Sequence, residues 1–279
     1  MQRYCLRMSE LEAGAQIRLI ALDLDGTTLT SERQIHPRNA EAIVRASRSG
    51  IVVVLASGRI RPSISPFARQ LELGDGPLIC SNGAHIVDSD GSTLAASYLG
   101  TPEQSAILDF ALREGLHLNG YTTDRMFYLY DSAWLELYRT RARTIPTEKV
   151  SIEELRAMQL IKLMIISEPA KIRALALRGH ELLHTDRVTL TESEPEYLEF
   201  LPRSANKGAA LQRLAEHLHV DRTNVMAVGD YLNDVEMVAW AGYGIAMGNA
   251  VPEVKAVARR VVANSDEGGV ADAIESVLQ

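Results

Sequence analysis

Carboxylates follow an apolar run near the start of this chain, and their spacing is the first indication of chemistry. The run covers residues 17–24 and leads into Asp23-Leu24-Asp25-Gly26-Thr27. Side chains alternate along a strand, so Asp23 and Asp25 are expected to point to the same side. Neighbouring carboxylates repel each other, which favours a divalent cation or a shared proton between them. The alternative is ordinary turn chemistry, in which a strand-end Asp precedes a Gly.

A second acidic segment, Gly229-Asp230-Tyr231-Leu232-Asn233-Asp234, follows another apolar run at residues 225–228. Asp230 repeats the pattern of an acidic strand end beside a glycine. Asp234 opens the next predicted helix, where a carboxylate is also a favourable partner of the helix N-terminus. That capping role and a metal role are compatible. Carboxylates at the ends of two parallel strands favour a hard cation with oxygen ligands.

A hydroxyl and a lysine add groups that can bind phosphate. Ala56-Ser57-Gly58-Arg59 lies at a third strand end, where the Ser57 hydroxyl and the Gly58 amide can face a phosphate. Lys207 begins a predicted helix, where a positive charge is unfavourable to the helix dipole, and this favours a functional role. The alternatives are a polar turn at Ser57 and a solvated surface lysine at Lys207.

Two common nucleotide and nucleophile motifs are absent from the sequence. It contains neither a Gly-x-x-x-x-Gly-Lys-Ser/Thr loop nor a Gly-x-Ser-x-Gly elbow. Gly242-Tyr243-Gly244 matches part of a dinucleotide fingerprint, but it follows a predicted helix and the next glycine is wrongly spaced. A nucleotide-binding loop and a serine-hydrolase site are therefore not expected.

Composition indicates a globular protein with more than one domain. The 279 residues exceed the length at which a single core usually stops growing. The net charge is −7 without an obvious Lys/Arg cluster, which argues against nucleic acid or an anionic membrane surface as a partner. The cysteines, Cys5 and Cys80, lack metal-ligand spacing, so a cytoplasmic location is expected. Residues 1–16 are expected to be a loose N-terminal extension, not a signal peptide.

The order of elements predicts an α/β fold: a Rossmann-like doubly wound parallel-sheet core that is interrupted by an inserted α+β cap domain. Near-continuous apolar strands alternate with helices at both ends of the chain, as in strands buried on both faces. The strands between them are more polar and more alternating, as in an antiparallel sheet with one wet face. The predicted catalytic core is residues 17–83 and 201–279, and the predicted cap is residues 84–200.

Within the predicted cap, a helix is expected at 101–114, with a capping box formed by Thr101 and Gln104. The cap strands are predicted at 125–130, 160–167 and 188–200.

Taken in order, the polar segments resemble the haloacid dehalogenase superfamily of phosphotransferases. The order is Asp23-x-Asp25-Gly26-Thr27, then Ser57, then Lys207, then Gly229-Asp230-x-x-Asn233-Asp234. The inserted segment resembles the large α/β cap of the Cof-type branch. Three further segments resemble that branch: Ser81-Asn82-Gly83-Ala84, Ala246-Met247-Gly248-Asn249-Ala250 and Asp266-Glu267-Gly268-Gly269-Val270. Thr28 stands where the family often has Leu, which does not alter the expected chemistry.

The resemblance implies a role for each residue. Asp23 would be the nucleophile that forms an aspartyl-phosphate, and Asp25 the general acid that keeps a proton and later serves as general base. Mg²⁺ is the implied cofactor; its ligands would be Asp23, Asp25 through its carbonyl, and Asp230, with Asp234 behind them or bound through water. The phosphate oxygens would be bound by Ser57, Gly58, Lys207 and Asn233.

The expected activity is the Mg²⁺-dependent hydrolysis of a phosphomonoester of a small metabolite, of the sugar phosphate class, by a monomer or homodimer. Two alternatives stay open: a sugar phosphomutase on the same fold, and a non-catalytic regulator that binds a phosphate ligand. The cap would contact the leaving group. Candidates for that contact are the polar-tipped residues Tyr121, Arg125, Tyr128 and Arg141.

Overall fold

The computed structural model describes residues 16–141, 145–183 and 186–278, and these residues build two β-sheets. The strands are β1 (Leu19–Asp23), β2 (Val52–Ala56), β3 (Leu78–Cys80), β4 (His85–Val87), β5 (Thr93–Ala96), β6 (His117–Tyr121), β7 (Met126–Tyr128), β8 (Thr147–Lys149), β9 (Lys162–Ile166), β10 (Val188–Glu194), β11 (Tyr197–Pro202), β12 (Val225–Gly229), β13 (Tyr243–Ala246) and β14 (Arg260–Val261). The helices are α1 (Pro37–Arg48), α2 (Arg61–Gln70), α3 (Thr101–Arg113), α4 (Ala133–Arg141), α5 (Ile152–Ala157), α6 (Pro169–Leu183), α7 (Lys207–His217), α8 (Val235–Trp240), α9 (Pro252–Val257) and α10 (Gly269–Glu275). Apart from Gln16, the predicted N-terminal extension lies outside the described residues.

The first sheet has the strand order β14-β13-β12-β1-β2-β3-β4-β5. Its strands from β14 to β3 are parallel, and β4 and β5 continue it as antiparallel strands. Apolar side chains of β1 alternate between two cores. Ile20 and Leu22 pack on the face covered by α1 and α10, and Leu19 and Ala21 on the face covered by α7. Burial on both faces explains why the strand is apolar throughout.

The second sheet has the order β10-β11-β9-β6-β7-β8, and its pairs are antiparallel except β7 with β8. Helices α3, α5 and α6 cover one face around Leu163 and Phe200. The other face was expected to be wet, and this expectation is wrong. It buries Met164 and Leu201 in one cluster with Ile60 and Ala84, which belong to the layer of the first sheet.

The predicted fold class is confirmed, since a doubly wound, mostly parallel sheet is combined with a second, mostly antiparallel one. The assignment of residues to a core and a cap remains a prediction. Strands β4 and β5 lie beyond residue 84 but pair with the first sheet. Near the crossings between the sheets, the hydroxyls of Ser97 and Ser204 lie 3.4 Å apart. Among the described residues, no helix is both long and apolar enough to cross a bilayer.

Two local expectations are wrong. The segment 188–200 is not one strand but a hairpin of β10 and β11, with an irregular register between Glu192 and Glu194. The N-cap of α3 is Gly100, without a side-chain capping bond, so Thr101 and Gln104 form no capping box. The Gln104 amide instead donates to three backbone carbonyls at the end of α5, at 2.9–3.2 Å.

Candidate active site

Three strand ends bring the polar segments together. Strand β1 lies between β2 and β12, with Asp23 beside Ala56 and Leu22 beside Val228. Asp23, Ser57 and Asp230 therefore lie at the carboxyl edge of the sheet, on either side of the point where the strand order reverses. Open α/β sheets form their ligand sites at such a point.

The carboxylates of Asp23, Asp230 and Asp234 form an acidic cluster in which one oxygen of each lies within 4.8 Å of the others. All three residues are buried. The ammonium of Lys207 is also completely buried, 2.5 Å from Asp23 Oδ1 and 2.6 Å from Asp234 Oδ1. The alternative of a solvated surface lysine is therefore wrong.

The acidic cluster carries more negative charge than Lys207 can balance. Burial, followed by the charge of Asp234, raises the pKa of Asp23 well above its ordinary value. The same causes raise the pKa of Asp230 to about 7. Burial alone would lower the pKa of Lys207, but Asp23 and Asp234 outweigh it and raise this pKa. The lysine is therefore charged, and a further cation would relieve the repulsion among the carboxylates.

Short hydrogen bonds fix the orientation of this cluster. Asp234 Oδ2 accepts the backbone N–H groups of Asp230, at 2.9 Å, and Tyr231, at 3.1 Å. The hydroxyl of Thr27 donates to Asp230 Oδ1 at 2.6 Å. Asp234 does not cap α8 with its side chain, because its carboxylate turns back over the preceding turn. Its carboxylate instead caps the short helical turn at residues 232–234, which leads into α8, so the capping alternative holds for that turn and not for α8 itself.

The acidic cluster fits a divalent metal ion. Its donors are all carboxylate oxygens, which hard cations prefer, and three carboxylates face one ammonium. The Asp25 carboxylate is not part of the cluster, and the predicted metal contact of its carbonyl remains a prediction. The residue after Asp25 must be glycine. Gly26 has a φ of +85°, and a Cβ there would collide with the Asp230 carboxylate.

The Asp25 carboxylate is bound by Arg59, a residue for which the sequence predicted no role. The guanidinium binds both carboxylate oxygens, Nε to Oδ2 at 2.7 Å and Nη2 to Oδ1 at 2.5 Å. Burial alone would raise the pKa of Asp25, but the charge and hydrogen bonds of Arg59 outweigh it, so this pKa lies below its ordinary value. This lowered pKa opposes a proton on Asp25 while Arg59 is bound to it, and the role of Asp25 as proton carrier remains a prediction.

A pocket between the two sheets is lined by most of the predicted site residues. We call the first sheet with its helices and loops the first layer, and the second sheet with its helices the second layer. The first layer lines the pocket with Asp23, Asp25, Ser57, Gly58 and Asn233. The structure thus brings together both predicted catalytic aspartates and three of the four predicted phosphate-binding residues. Lys207, the fourth of these residues, does not line this pocket, but its ammonium donates to the carboxylate of Asp23, which does.

The second layer forms the other wall of the pocket, and most of its lining residues were not predicted to contact the leaving group. Of the four candidates for leaving-group contact, only Arg141 lines it. Tyr121 is buried beneath the Lys162 ammonium, Arg125 pairs with Glu148, and Tyr128 accepts a hydrogen bond from Arg139. The second-layer residues that were missed are Tyr138, Lys162, Met164, Ser193, Glu194, Tyr197 and Glu199.

An ion-pair bridge joins the two layers at the pocket. Glu194 of β10 binds Arg33, from the loop after β1, and Arg141 of α4, each at 2.6 Å. Arg141 also lies over the ring of Tyr197. Both arginines and Glu194 line the pocket, so the bridge joins the two layers within its wall.

The chain also contains His180-Glu181-Leu182-Leu183-His184, whose spacing matches the helical zinc motif His-Glu-x-x-His. Sequence reasoning missed this pattern. The side chains of residues 180–185 lie outside the described ones, and the site described above does not depend on them.

Comparison with known proteins assigns the chain to a family. The sequence model of the haloacid dehalogenase-like hydrolases matches residues 20–274, which include all of the polar segments above. The chain belongs to the haloacid dehalogenase-like hydrolase family. The resemblance found in the motifs is thereby confirmed, and the chain is an enzyme of the hydrolase class.

Similar proteins cover this hydrolase almost completely. A 5-amino-6-(5-phospho-D-ribitylamino)uracil phosphatase of Bacillus subtilis is 32% identical, over 96% of this chain and 98% of its own. An HMP-PP phosphatase of Serratia proteamaculans is 31% identical, over 94% of this chain and 96% of its own. The crystal structure of a haloacid dehalogenase-like hydrolase from Bacteroides thetaiotaomicron has a TM-score of 0.85 and 28% identity, over 94% of this chain and 100% of its own.

Proposed function

We propose that this hydrolase is a Mg²⁺-dependent phosphatase of small phosphorylated metabolites, and that it acts through an aspartyl-phosphate on Asp23. The observation that carries the proposal is the placement of Asp23. It joins the pocket to the acidic cluster, and its carboxylate is bound by a buried lysine. The names of the two curated relatives support phosphatase activity.

The phosphate of the substrate lies against Asp23 and is bound by the Ser57 hydroxyl, the Gly58 amide and Asn233. These groups line the pocket beside Asp23 and can each donate a hydrogen bond. Mg²⁺, held by Asp23, Asp230 and Asp234, would supply the positive charge that offsets the repulsion between the phosphate and the attacking carboxylate. Lys207 orients that carboxylate, and its charge opposes the rise in the pKa of Asp23 that burial and Asp234 cause.

The reaction then proceeds in two steps. A carboxylate oxygen of Asp23 attacks phosphorus, the bond from phosphorus to the leaving oxygen breaks, and Asp25 gives that oxygen a proton. Asp25 next takes a proton from water, whose oxygen attacks phosphorus and breaks the bond to Asp23. Because Arg59 holds Asp25 in its ionised form, the ion pair must open and Asp25 must take up a proton from solvent before it can act as the acid of the first step.

The second sheet and its helices act as a cap domain that encloses the leaving group. Tyr138, Arg141 and Tyr197 bring aromatic faces and one guanidinium to the pocket. Such a lining suits a ring or chain that bears hydroxyl groups, so the proposed substrate class is the sugar phosphates. We place the enzyme in the cytoplasm as a monomer or homodimer.

The test is hydrolysis of p-nitrophenyl phosphate with Mg²⁺ and after treatment with EDTA. Activity is expected with Mg²⁺ only, and Asp23→Asn should abolish both turnover and the trapping of ³²P on the protein. The matched control is Asp75→Asn, at an exposed aspartate of the first layer, which should retain activity. Turnover by Asp23→Asn at the wild-type rate would contradict the mechanism.

A screen of sugar phosphates and phosphorylated heterocycles then tests the substrate class. We expect the highest kcat/KM among the sugar phosphates. A better heterocyclic substrate would overturn the class but not the chemistry. A requirement for a bisphosphate, together with an isomerised product, would favour the phosphomutase alternative.

A further inference from the structure

A buried ion pair of the second sheet faces the proposed phosphate site. Lys162 of β9 and Glu199 of β11 lie on adjacent strands, with Nζ 3.0 Å from Oε1. Their side chains are only 4% and 3% exposed, and both residues line the pocket. Neither takes part in the mechanism described above.

Both charges contact the first layer at groups next to the phosphate. Lys162 Nζ donates to the backbone carbonyl of Gly58 at 2.7 Å. Glu199 Oε2 accepts from Asn82 Nδ2 at 2.8 Å, and Asn82 Oδ1 accepts from Asn233 Nδ2 at 2.9 Å. One ion pair is thereby connected to two of the proposed phosphate-binding residues, Gly58 and Asn233.

The charges of this pair determine which way the neighbouring groups point. An ionised carboxylate only accepts hydrogen bonds, so Glu199 forces the Asn82 amide to turn its N–H toward it. The Asn82 oxygen must then face Asn233 and accept one N–H of its amide. The second N–H of the Asn233 amide remains for a phosphate oxygen. Lys162, which only donates, fixes the Gly58 carbonyl in the same way.

Stability alone is a weak reason for such a pair. Burying two charges removes them from water, and apolar residues of the same size often stabilise a protein as well or better. Lys162 also lies over the ring of Tyr121, with Nζ 4.6 Å from its centre, so apolar packing is already available there. A role in orienting Gly58 and Asn82 explains why Lys162 and Glu199 lie on the face of the second sheet that lines the pocket.

We propose that Lys162 and Glu199 are positioning residues of the phosphate site, so that the second sheet completes this site as well as the leaving-group pocket. The inference rests on the proposed function. It predicts that removing either charge weakens the binding of phosphate itself, whatever the leaving group is. Second-layer residues that touch only the leaving group would not have this effect.

The experiment measures the dissociation constant of inorganic phosphate by calorimetry, in the presence of Mg²⁺ and without turnover. We expect Glu199→Gln and Lys162→Met to bind phosphate about tenfold more weakly than the wild type, as losses of supporting hydrogen bonds generally do. The double variant Lys162→Met with Glu199→Leu removes both charges, should fold, and should still bind weakly. Circular dichroism and thermal unfolding verify the fold of each variant.

The matched control is Gln104→Met. Gln104 is 2% exposed and makes three hydrogen bonds within the second layer, none of them with the first. This variant should lower the melting temperature but leave the phosphate dissociation constant unchanged. Equal phosphate binding by the wild type and both charge variants, or equal weakening in Gln104→Met, would overturn the inference. If the wild type itself does not bind phosphate, the proposed function fails instead.

Discussion

Arg59 and Asp25 form a two-point ion pair, with Nε 2.7 Å from Oδ2 and Nη2 2.5 Å from Oδ1. The pair lies beside the carboxylate of Asp23 in the same pocket. It therefore holds the proposed proton carrier in its ionised form.

Asp25→Asn is expected to separate the two chemical steps. The p-nitrophenolate anion leaves without a proton, so the first step should still release about one equivalent of product per enzyme. The second step needs a base, and steady-state turnover should fall by about 10²- to 10⁴-fold. Rapid-mixing absorbance measurements check both values. Steady-state turnover at the wild-type rate would rule out Asp25 as the proton carrier.

Lys207→Met leaves the carboxylates of Asp23 and Asp234 buried without their partner. Removing one member of a buried ion pair costs about 3–5 kcal/mol, so the free energy of unfolding should fall by that amount in EDTA. Urea denaturation measures it, and added Mg²⁺ should restore part of the loss. Lys171→Met, at an exposed lysine of α6, is the control and should change stability by less than about 0.5 kcal/mol. Equal stability of the two variants would contradict the buried charge cluster.

Gly26→Ala and Gly50→Ala form a matched pair, because the φ angles are +85° and +87°. An added Cβ meets nothing within 4 Å at Gly50 but collides with the Asp230 carboxylate at Gly26. Both variants should lose about 1–2 kcal/mol through backbone strain. Only Gly26→Ala should also bind Mg²⁺ more weakly, by about tenfold or more, because Asp230 is displaced. Calorimetric titration with Mg²⁺ distinguishes them, and equal affinities would show that Asp230 does not hold the metal.

The chemistry at the strand ends could be predicted from the sequence, because parallel strands of one sheet end at the same edge. Asp23, Ser57 and Asp230 needed only the recognition of three buried strands. The contact of Asp23 with Lys207 was not predicted in this way, because Lys207 begins helix α7 and does not lie at a strand end.

The second layer could not be predicted in the same way. The segment 188–200 was predicted as one strand although Pro195 interrupts it, so the hairpin that places Glu194 and Glu199 in the pocket was missed. Lys162 was included in a predicted strand, but its partner lies 37 residues away on another strand. Pairings of this kind depend on the register of the second sheet, which alternation alone does not determine.

His85 gives the fold a dependence on pH that is separate from the site. Burial, followed by the charge of Arg61, lowers the pKa of this imidazole from 6.5 to about 4. The folded state thus binds fewer protons than the unfolded one between these values. The stabilisation is complete above about pH 6.5 and is lost as the pH falls toward 4, with a loss of ~2 kcal/mol between pH 7 and pH 5.

His85→Gln should remove this part of the pH dependence. Urea denaturation of both proteins at pH 7 and pH 5 gives the four free energies that are needed. The wild type should lose more stability than the variant over this interval. Identical losses would show that the imidazole is not held in its neutral form.

The hydroxyls of Ser97 and Ser204 lie 3.4 Å apart, so the chain leaves the first sheet and returns to it at nearly one point. A segment whose two ends meet can be lengthened, shortened or replaced with little effect on the sheet that carries it. Asp23, Asp230, Asp234 and Lys207 all lie outside this segment. We therefore expect that the segment between Ser97 and Ser204 can be exchanged while the acidic cluster and Lys207 stay in place, provided that the new segment again offers partners to Gly58 and Asn82.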